Sequence, residues 1–332
     1  MFSDSFGSWF TLALHIPDGF LNAPVSIIWW VLTVAIIALA VRNTSSALNE
    51  RQIPLMGVMG AFIFAAQMLN FPVLGGTSGH LLGGALAALL LGPWAGALVM
   101  ACVVGLQALL FQDGGLLALG ANIFNMGILT AFIGWGLGNA LLRAFGNRPW
   151  SLVVSGFIAA WVSVMAAAAL TSLQLTLSGV PPNVVFSSML FVHTFIGIGE
   201  GLITAAALSF VVATRPDLAA SLAGRVDKTS LGKPVSAPLV GAVTLIGLGF
   251  AFGAALLSPL ASGDPDGLEK VAGDQGFLDR AQDAPYTLLP DYTIPGLDGS
   301  ISTILAGFIG LLIVFALVYG ITMLIRGQRT SQ

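Results

Sequence analysis

Apolar runs of roughly 20 residues recur from one end of this 332-residue chain to the other. An α-helix of about that length crosses the roughly 30 Å hydrocarbon core of a bilayer. Only 8% of the residues are charged, against about 25% in a typical soluble domain, so the chain cannot cover its surface with polar groups in water. In lipid, backbone groups must be satisfied within the spanning segments. The sequence therefore predicts an all-α, polytopic membrane protein.

Hydropathy in windows of about 19 residues predicts nine transmembrane helices. The third is short and rich in glycine, which favours a broken or tilted helix packed against its neighbours. A polar linker at 214–236 divides a seven-helix core, residues 14–213, from a two-helix module at 237–326. The predicted spans lie near 22–42, 54–70, 80–92, 95–111, 117–142, 150–175, 185–213, 237–258 and 301–325.

Basic residues lie on one side of this nine-span scheme, and Lys and Arg favour the cytoplasmic ends of spans. They are Arg42, Arg51, Arg143, Arg148, Arg215, Arg225, Lys228, Lys233, Arg326 and Arg329. The opposite face, predicted to face outward, carries the amino-terminal segment and the loops at 75–80, 112–115 and 259–300. The last loop is acidic, with eight Asp or Glu against Lys270 and Arg280.

The chain has three histidines, and an ionisable side chain within or beside a span is a functional candidate. A lone histidine is more often a hydrogen-bonded packing residue than a metal ligand. His15 precedes the turn at 16–19, and His80 ends the small-residue loop at 75–79, on the same predicted face. Imidazoles that converge at one pocket suit a borderline transition metal such as Ni, Co, Cu or Zn.

His193 is predicted within the seventh span, seven residues before Glu200. Two helical turns place both on one helix face, pointing into the bundle. They form either a polar pair that fixes helix packing or a relay, and the sequence leaves both open. Other polar residues inside the spans either orient the imidazoles and loop backbone or bond between helices. These are Gln67, Asn70, Gln107, Asn122 and Asn125.

The sequence contains no G-x-x-x-x-G-K-[ST] phosphate-binding loop, no H-E-x-x-H metalloprotease motif and no G-x-S-x-G nucleophile elbow. The nearest approach to a phosphate-binding loop, at 232–234, lacks the upstream glycine loop and the hydroxyl. The chain is therefore predicted not to be an enzyme and to have no organic cofactor and no nucleic-acid partner. Two alternatives stay open: an autonomous ion-coupled metal permease, and, more weakly, an intramembrane hydrolase that uses Ser78 with His80.

Five separated segments resemble one family in the same order: those at 15–20, 70–83, 91–96, 111–126 and 193–201. They closely resemble the cobalt/nickel substrate-binding membrane subunit (CbiM/NikM type) of energy-coupling factor transporters, over roughly residues 14–213. The sequence Pro-Asp-Gly-Leu-Glu at 265–269, between the last two spans, resembles the accessory subunit (CbiN/NikN type) of the same systems.

The resemblance implies an importer component in the cell membrane that captures Ni(II) or Co(II) at an outward-facing site. The implied ligands are a free amine at Leu14, the amide nitrogen and imidazole of His15, and the imidazole of His80. Its expected partners are a transmembrane coupling subunit and cytosolic ABC ATPases, beside the lipid bilayer. Supporting or gating roles are expected for Asp18, Thr77, Ser78, Asn122, Asn125, His193 and Glu200. Asp266 and Glu269 are expected to contribute from the loop at 259–300, which we call the accessory loop.

The family pattern places the first histidine directly after the initiator methionine, whereas residues 1–13 precede Leu14 here. Translation from residue 14, cleavage after Ala13, or a retained extension with rearranged ligands would each explain the difference. Our hypothesis is a working chain that begins at residue 14. An amine, a deprotonated amide and two imidazoles suit Ni(II), and binding would weaken as pH falls. The sequence does not separate nickel from cobalt.

Overall fold

The structure, a computed structural model, describes residues 15–47, 52–146, 148–214 and 237–330. It is an all-α bundle with one short β-hairpin, which confirms the predicted fold class. Leu14, Arg51 and the basic cluster of the linker lie outside the described residues. The helices are α1 (Ala23–Ala47), α2 (Gln52–Gln67), α3 (Gly84–Leu91), α4 (Pro93–Leu106), α5 (Leu119–Asn122), α6 (Thr130–Ala144), α7 (Pro149–Leu177), α8 (Pro182–Thr214), α9 (Ala237–Leu257), α10 (Gly267–Asp274) and α11 (Ser300–Thr330).

Six stretches within the described ranges are helical, long and apolar enough to cross a membrane. Two further predicted spans are shorter apolar helices, Gln52–Gln67 and Thr244–Leu260. The third predicted span is α3, whose eight residues cover only about 12 Å, so it cannot cross a bilayer alone. A total of nine spans therefore stays a prediction, although each predicted segment contains a helix. The six are Ala23–Ser45, Pro93–Phe111, Leu119–Ala144, Trp150–Leu177, Pro182–Ala213 and Ser300–Gly327.

Two helices change to π-helical geometry where they approach the same end of the bundle. Gln107–Phe111 continues α4, and Ile123–Leu129 joins α5 to α6. Such wide turns are rare and occur mostly at functional sites. Each of them contains one buried amide, Gln107 in the first and Asn125 in the second.

The segment predicted as a small-residue loop is a β-hairpin. Strand β1 (Phe71–Val73) pairs antiparallel with β2 (Thr77–Gly79). The turn between them uses Gly75 and Gly76 at φ 96° and 70°, a region that residues with a side chain rarely adopt. Three-residue strands leave no alternating pattern long enough to predict from sequence. The hairpin ends directly at His80.

The last two long helices pack against the core rather than standing apart from it. Helices α9 and α11 both contact α2, and the approach to α11 is close because a Cβ at Gly60 would lie 3.0 Å from a methyl of Val314. Between them, residues 261–299 fold over one end of the core. Backbone N–H groups of Ser262, Gln282 and Leu289 donate to the carbonyls of Asn70, Asp18 and Leu110 at 2.8, 2.8 and 3.0 Å. The described parts of the segments predicted to share a face therefore do share one end.

Candidate metal site

His15 and His80 meet at the end of the bundle that residues 261–299 cover. Their ring centres lie 5.7 Å apart at 74°, and the two residues are 2% and 6% exposed. Two imidazoles that share an ion at about 2.0–2.1 Å per nitrogen have ring centres roughly 4.5–6.5 Å apart. The observed separation falls in that range. Residues 65 positions apart in sequence thus converge at ligand distance.

A cavity of about 70 Å³ lies between these rings and is also lined by His193 and Asp266. Within the ranges that the structure describes, no three His, Cys, Asp or Glu side chains are placed to hold one metal ion together. A fourfold set would therefore need other donors, such as the chain nitrogens implied at Leu14 and His15. Leu14 lies outside the described residues.

The His15 ring has two different surroundings at its two nitrogens. Nδ1 lies 3.0 Å from the carbonyl oxygen of Asp113 and 3.4 Å from its Oδ1, whereas Nε2 is buried without a hydrogen-bond partner in the described chain. In this orientation Nε2 is the nitrogen offered to a cation. Chelation together with the amide nitrogen of the same residue would instead use Nδ1, because only Nδ1 closes a small ring, and Nδ1 would then have to leave the Asp113 carbonyl.

The backbone that follows His15 is held on both sides by Asn122. The amide N–H of Ile16 donates to Asn122 Oδ1, and Asn122 Nδ2 donates to the Ile16 carbonyl, both at 3.0 Å. Asp18 then accepts hydrogen bonds from the N–H groups of Leu116, Leu117 and Ala118 at 3.0, 2.8 and 3.0 Å. A carboxylate is stabilised by such free N–H groups just before a helix. Both residues thus fix the His15 segment against the loop at 112–118.

On the other side of the cavity, the peptide after His80 is held by two buried groups. Glu200 accepts from the N–H groups of Leu82 and Gly83 at 2.6 and 2.9 Å, and Gln67 donates to the Leu82 carbonyl at 2.8 Å. The His80 ring contacts the Leu81 carbonyl through Nδ1 at 2.9 Å.

His193 and Glu200 lie on one helix but bond to different partners. His193 Nδ1 contacts the carbonyl of Met189, one turn earlier, at 2.8 Å, while Glu200 binds the segment after His80. The hypothesis of a His193–Glu200 pair is thus not what the geometry shows. Asn125 also bonds between helices, because its amide exchanges hydrogen bonds with Gln174 at 2.7 and 3.0 Å and donates to Thr171.

Thr77 and Ser78 bind the accessory loop. The Ser78 hydroxyl donates to the Asp264 carbonyl at 2.8 Å, and the Ser78 N–H donates to the Pro265 carbonyl at 2.8 Å. The Thr77 hydroxyl donates to the Pro265 carbonyl at 3.0 Å. Because the Ser78 hydroxyl points at these carbonyls, it is not presented to His80. The geometry therefore gives the hydrolase alternative no nucleophile and base pair.

Asp266 begins α10 and reaches the cavity. Its carboxylate accepts from the Glu269 N–H at 2.6 Å and is 4% exposed. Burial raises the pKa of Asp266 to about 8; the Glu269 N–H opposes the rise, and the carboxylates of Glu269 and Asp113 add to it. A cation in the cavity would favour the ionised form.

A second, larger cavity of about 750 Å³ adjoins the first, and His15 lines both. We call this cavity the vestibule. Burial raises the pKa of Asp291 to about 6, with contributions from the carboxylates of Asp113, Asp283 and Glu269, and burial also raises the pKa of Glu269. These carboxylates repel one another, and a bound cation would reduce that repulsion. The acidic lining residues are Asp18, Glu269, Asp279, Asp283 and Asp291.

The sequence alone did not identify Asp113 and Tyr292 as residues of this site. Asp113 stands inside the segment 111–126 that carried the family resemblance, but no spacing rule linked it to His15. Tyr292 lies in the accessory loop, where its hydroxyl donates to Asp113 Oδ2 at 2.6 Å. Only the three-dimensional return of that loop over the core reveals the contact.

Comparisons with known proteins also indicate a family of metal transporters. Residues 15–218 match the CbiM family, described as a cobalt uptake substrate-specific transmembrane region, and residues 240–327 match the PDGLE domain. An Archaeoglobus fulgidus protein with the provisional name fused nickel transport protein NikMN is 36% identical over 94% of this chain and 99% of its own length. Cobalt transport protein CbiM of Sorangium cellulosum is 35% identical over 62% of this chain and 94% of its own. A crystal structure of a transition metal transporter is 32% identical, with a TM-score of 0.55 over 63% of this chain and 96% of that one.

Proposed function

Because the chain belongs to the CbiM family and carries a PDGLE domain after its core, we propose that it is the substrate-binding component of an ATP-driven energy-coupling factor importer for Ni(II) or Co(II). It is a multi-pass membrane protein of a metal-transport family. The observation that carries the proposal is the approach of His15 and His80 to 5.7 Å beside a buried, unpartnered Nε2. That arrangement suits capture of a borderline cation.

The site faces outward in this proposal, in the cell membrane. Helices α1 and α11 both start near the cavity end and run about 38 and 47 Å away from it, and they carry Arg42 and Arg326 near their other ends. Arg143, in the last turn of α6, lies at that far end too. Basic residues favour the cytoplasmic side, so the vestibule would open to the outside. Its carboxylates would concentrate cations above His15 and so promote loading.

The energy source is expected on other chains, a transmembrane coupling subunit and cytosolic ABC ATPases. In proteoliposomes that contain this chain alone, we expect no accumulation of radioactive Ni²⁺, with or without ATP inside or an ion gradient. The complex purified with its native partners should accumulate Ni²⁺ only with ATP on the ATPase side. The variant His80→Ala within the same complex is the control for transport through the site.

Gradient-driven accumulation of Ni²⁺ by the chain alone would overturn the proposal in favour of an autonomous permease. ATP-driven uptake that is unaffected by His80→Ala would instead keep the importer but move its metal site elsewhere. Repeating the measurement with Co²⁺ in competition would rank the two ions.

A further inference from the structure

His193 is the third imidazole in the wall of the cavity of about 70 Å³, which we call the inner cavity and which His15 and His80 also line. It lies on α8, about two helical turns before Glu200. Within the ranges that the structure describes, no three side chains of the His, Cys, Asp or Glu type converge on one ion. His193 therefore does not complete the pair formed by His15 and His80, although it shares their cavity.

The segment that carries His80 packs against α8 close to His193. A Cβ at Gly79 would lie 2.8 Å from Cγ1 of Ile196, and Ile196 is three residues, about 4.5 Å along the helix axis, from His193. A Cβ at Gly267 would lie 2.7 Å from Cδ1 of Ile196 and 3.1 Å from Cε1 of His193. The imidazole is thus held between α8 and the start of α10, about one helical turn from the level of Gly79.

The hydrogen bond of His193 determines which of its nitrogens is available. Nδ1 lies 2.8 Å from the carbonyl oxygen of Met189, and only a protonated ring nitrogen can donate to a carbonyl. A neutral ring therefore keeps its lone pair on Nε2, at the edge away from the helix backbone. The described chain offers Nε2 no hydrogen-bond partner. This is the arrangement of most metal-binding histidines, whereas a histidine that served only helix packing in lipid would satisfy both nitrogens.

A single imidazole suits a position that an ion occupies only briefly. One nitrogen donor binds a borderline cation weakly, whereas several nitrogens together hold it strongly. An ion held by several nitrogens leaves by losing them one at a time, and each vacated position is refilled by water or by the nearest free donor. A further donor in the same cavity keeps the ion bound to the protein during that exchange, since passage through a protein needs neighbouring sites that are individually weak.

We propose that His193 is a transfer ligand, which binds the ion for a short time while the site at His15 and His80 takes it up or releases it. Its ligand is a borderline divalent ion such as Ni²⁺ or Co²⁺, bound through Nε2. The inference rests on the proposed function, because it needs the ion to be held at His15 and His80. It gives His193 an effect on the rate of metal exchange and none on occupancy at equilibrium.

The test uses the full chain in detergent, with Ni²⁺ as the probe, and measures equilibrium affinity and exchange rates separately. His193→Gln keeps an N–H for the Met189 carbonyl but has no nitrogen with a free lone pair. We expect the rate of loading and the rate of Ni²⁺ loss to excess EDTA each to fall roughly tenfold, which corresponds to about 1.4 kcal/mol in each barrier. Because both rates fall together, the affinity should stay the same.

Thr194→Val is the matched control on the same helix. The Thr194 hydroxyl donates to the carbonyl of Leu190, one turn earlier, at 2.8 Å, as His193 does to Met189. Its side chain is not part of the lining of the inner cavity. The substitution therefore removes the same kind of bond from α8 without removing a donor from the cavity, and it should change neither the rates nor the affinity.

Wild-type exchange rates in His193→Gln would overturn the inference and leave the metal site standing. A large loss of affinity in His193→Gln would also overturn it, because His193 would then be a permanent ligand. Equal slowing in Thr194→Val would assign the effect to the packing of α8. His193→Ala, which removes the whole ring, should slow exchange in the same way and serves if the glutamine variant does not fold. If the unmodified chain binds no Ni²⁺, the proposed function itself fails, and the inference fails with it.

Discussion

Alanine at His80 is expected to leave the purified chain without metal. The imidazole is one of the two rings that meet at ligand distance, and its loss should weaken binding by more than the roughly 10- to 100-fold cost of removing an outer partner. His15→Ala should have the same effect, because the opposing ring cannot hold the ion alone. The measurement is metal content per chain after loading with Ni²⁺ and desalting.

His193 provides the matched control for these two changes. It lines the same cavity, but it does not form a group of three potential metal-binding side chains with the other described residues. Glutamine there keeps an N–H for the Met189 carbonyl, so His193→Gln should retain metal. Wild-type occupancy in His80→Ala or His15→Ala would remove that residue from the ligands, and an empty His193→Gln chain would make His193 a third one.

The fold was predictable to the extent that hydropathy fixes where helices lie. Windows of apolar residues mark every long helix of the described chain, because a chain in lipid must satisfy its backbone locally, whereas α10, in the polar loop, was not predicted. The same windows cannot tell a span from α3, because its eight residues, six of them buried, lie between two apolar helices and read as part of an apolar run. Whether such a segment crosses depends on tertiary packing, which hydropathy does not report.

The candidate site was predictable only in part. His15 and His80 stand out because ionisable residues are rare in such a chain, and charge placement put them on one face. The roles of their neighbours depend on where each side chain points in the folded chain, which the sequence does not show. Glu200 and His193 share a helix face, yet Glu200 turns to the peptide after His80. Tyr292 is 179 positions from Asp113, so no local pattern could join them.

Leucine at Glu200 is expected to destabilise the chain and to empty the metal site together. Glu200 is fully buried, and its two oxygens accept from Leu82 and Gly83. Leucine would leave two buried N–H groups without acceptors, at about 1–3 kcal/mol each. The segment that carries His80 would then relax towards other acceptors. Thermal unfolding in detergent should show a lower midpoint, and metal content measured well below that midpoint should also fall.

Two further variants distinguish an effect on the position of His80 from an effect on the stability of the whole chain. Glu200→Gln keeps one acceptor oxygen and should have an intermediate effect on both measurements. Thr204→Val, one turn along the same helix, removes a buried hydroxyl with no described hydrogen-bond partner and should change neither. If Glu200→Leu lowers the unfolding midpoint but keeps full metal occupancy, the carboxylate stabilises the bundle without positioning His80, because an alternative set of contacts would then hold the imidazole in place.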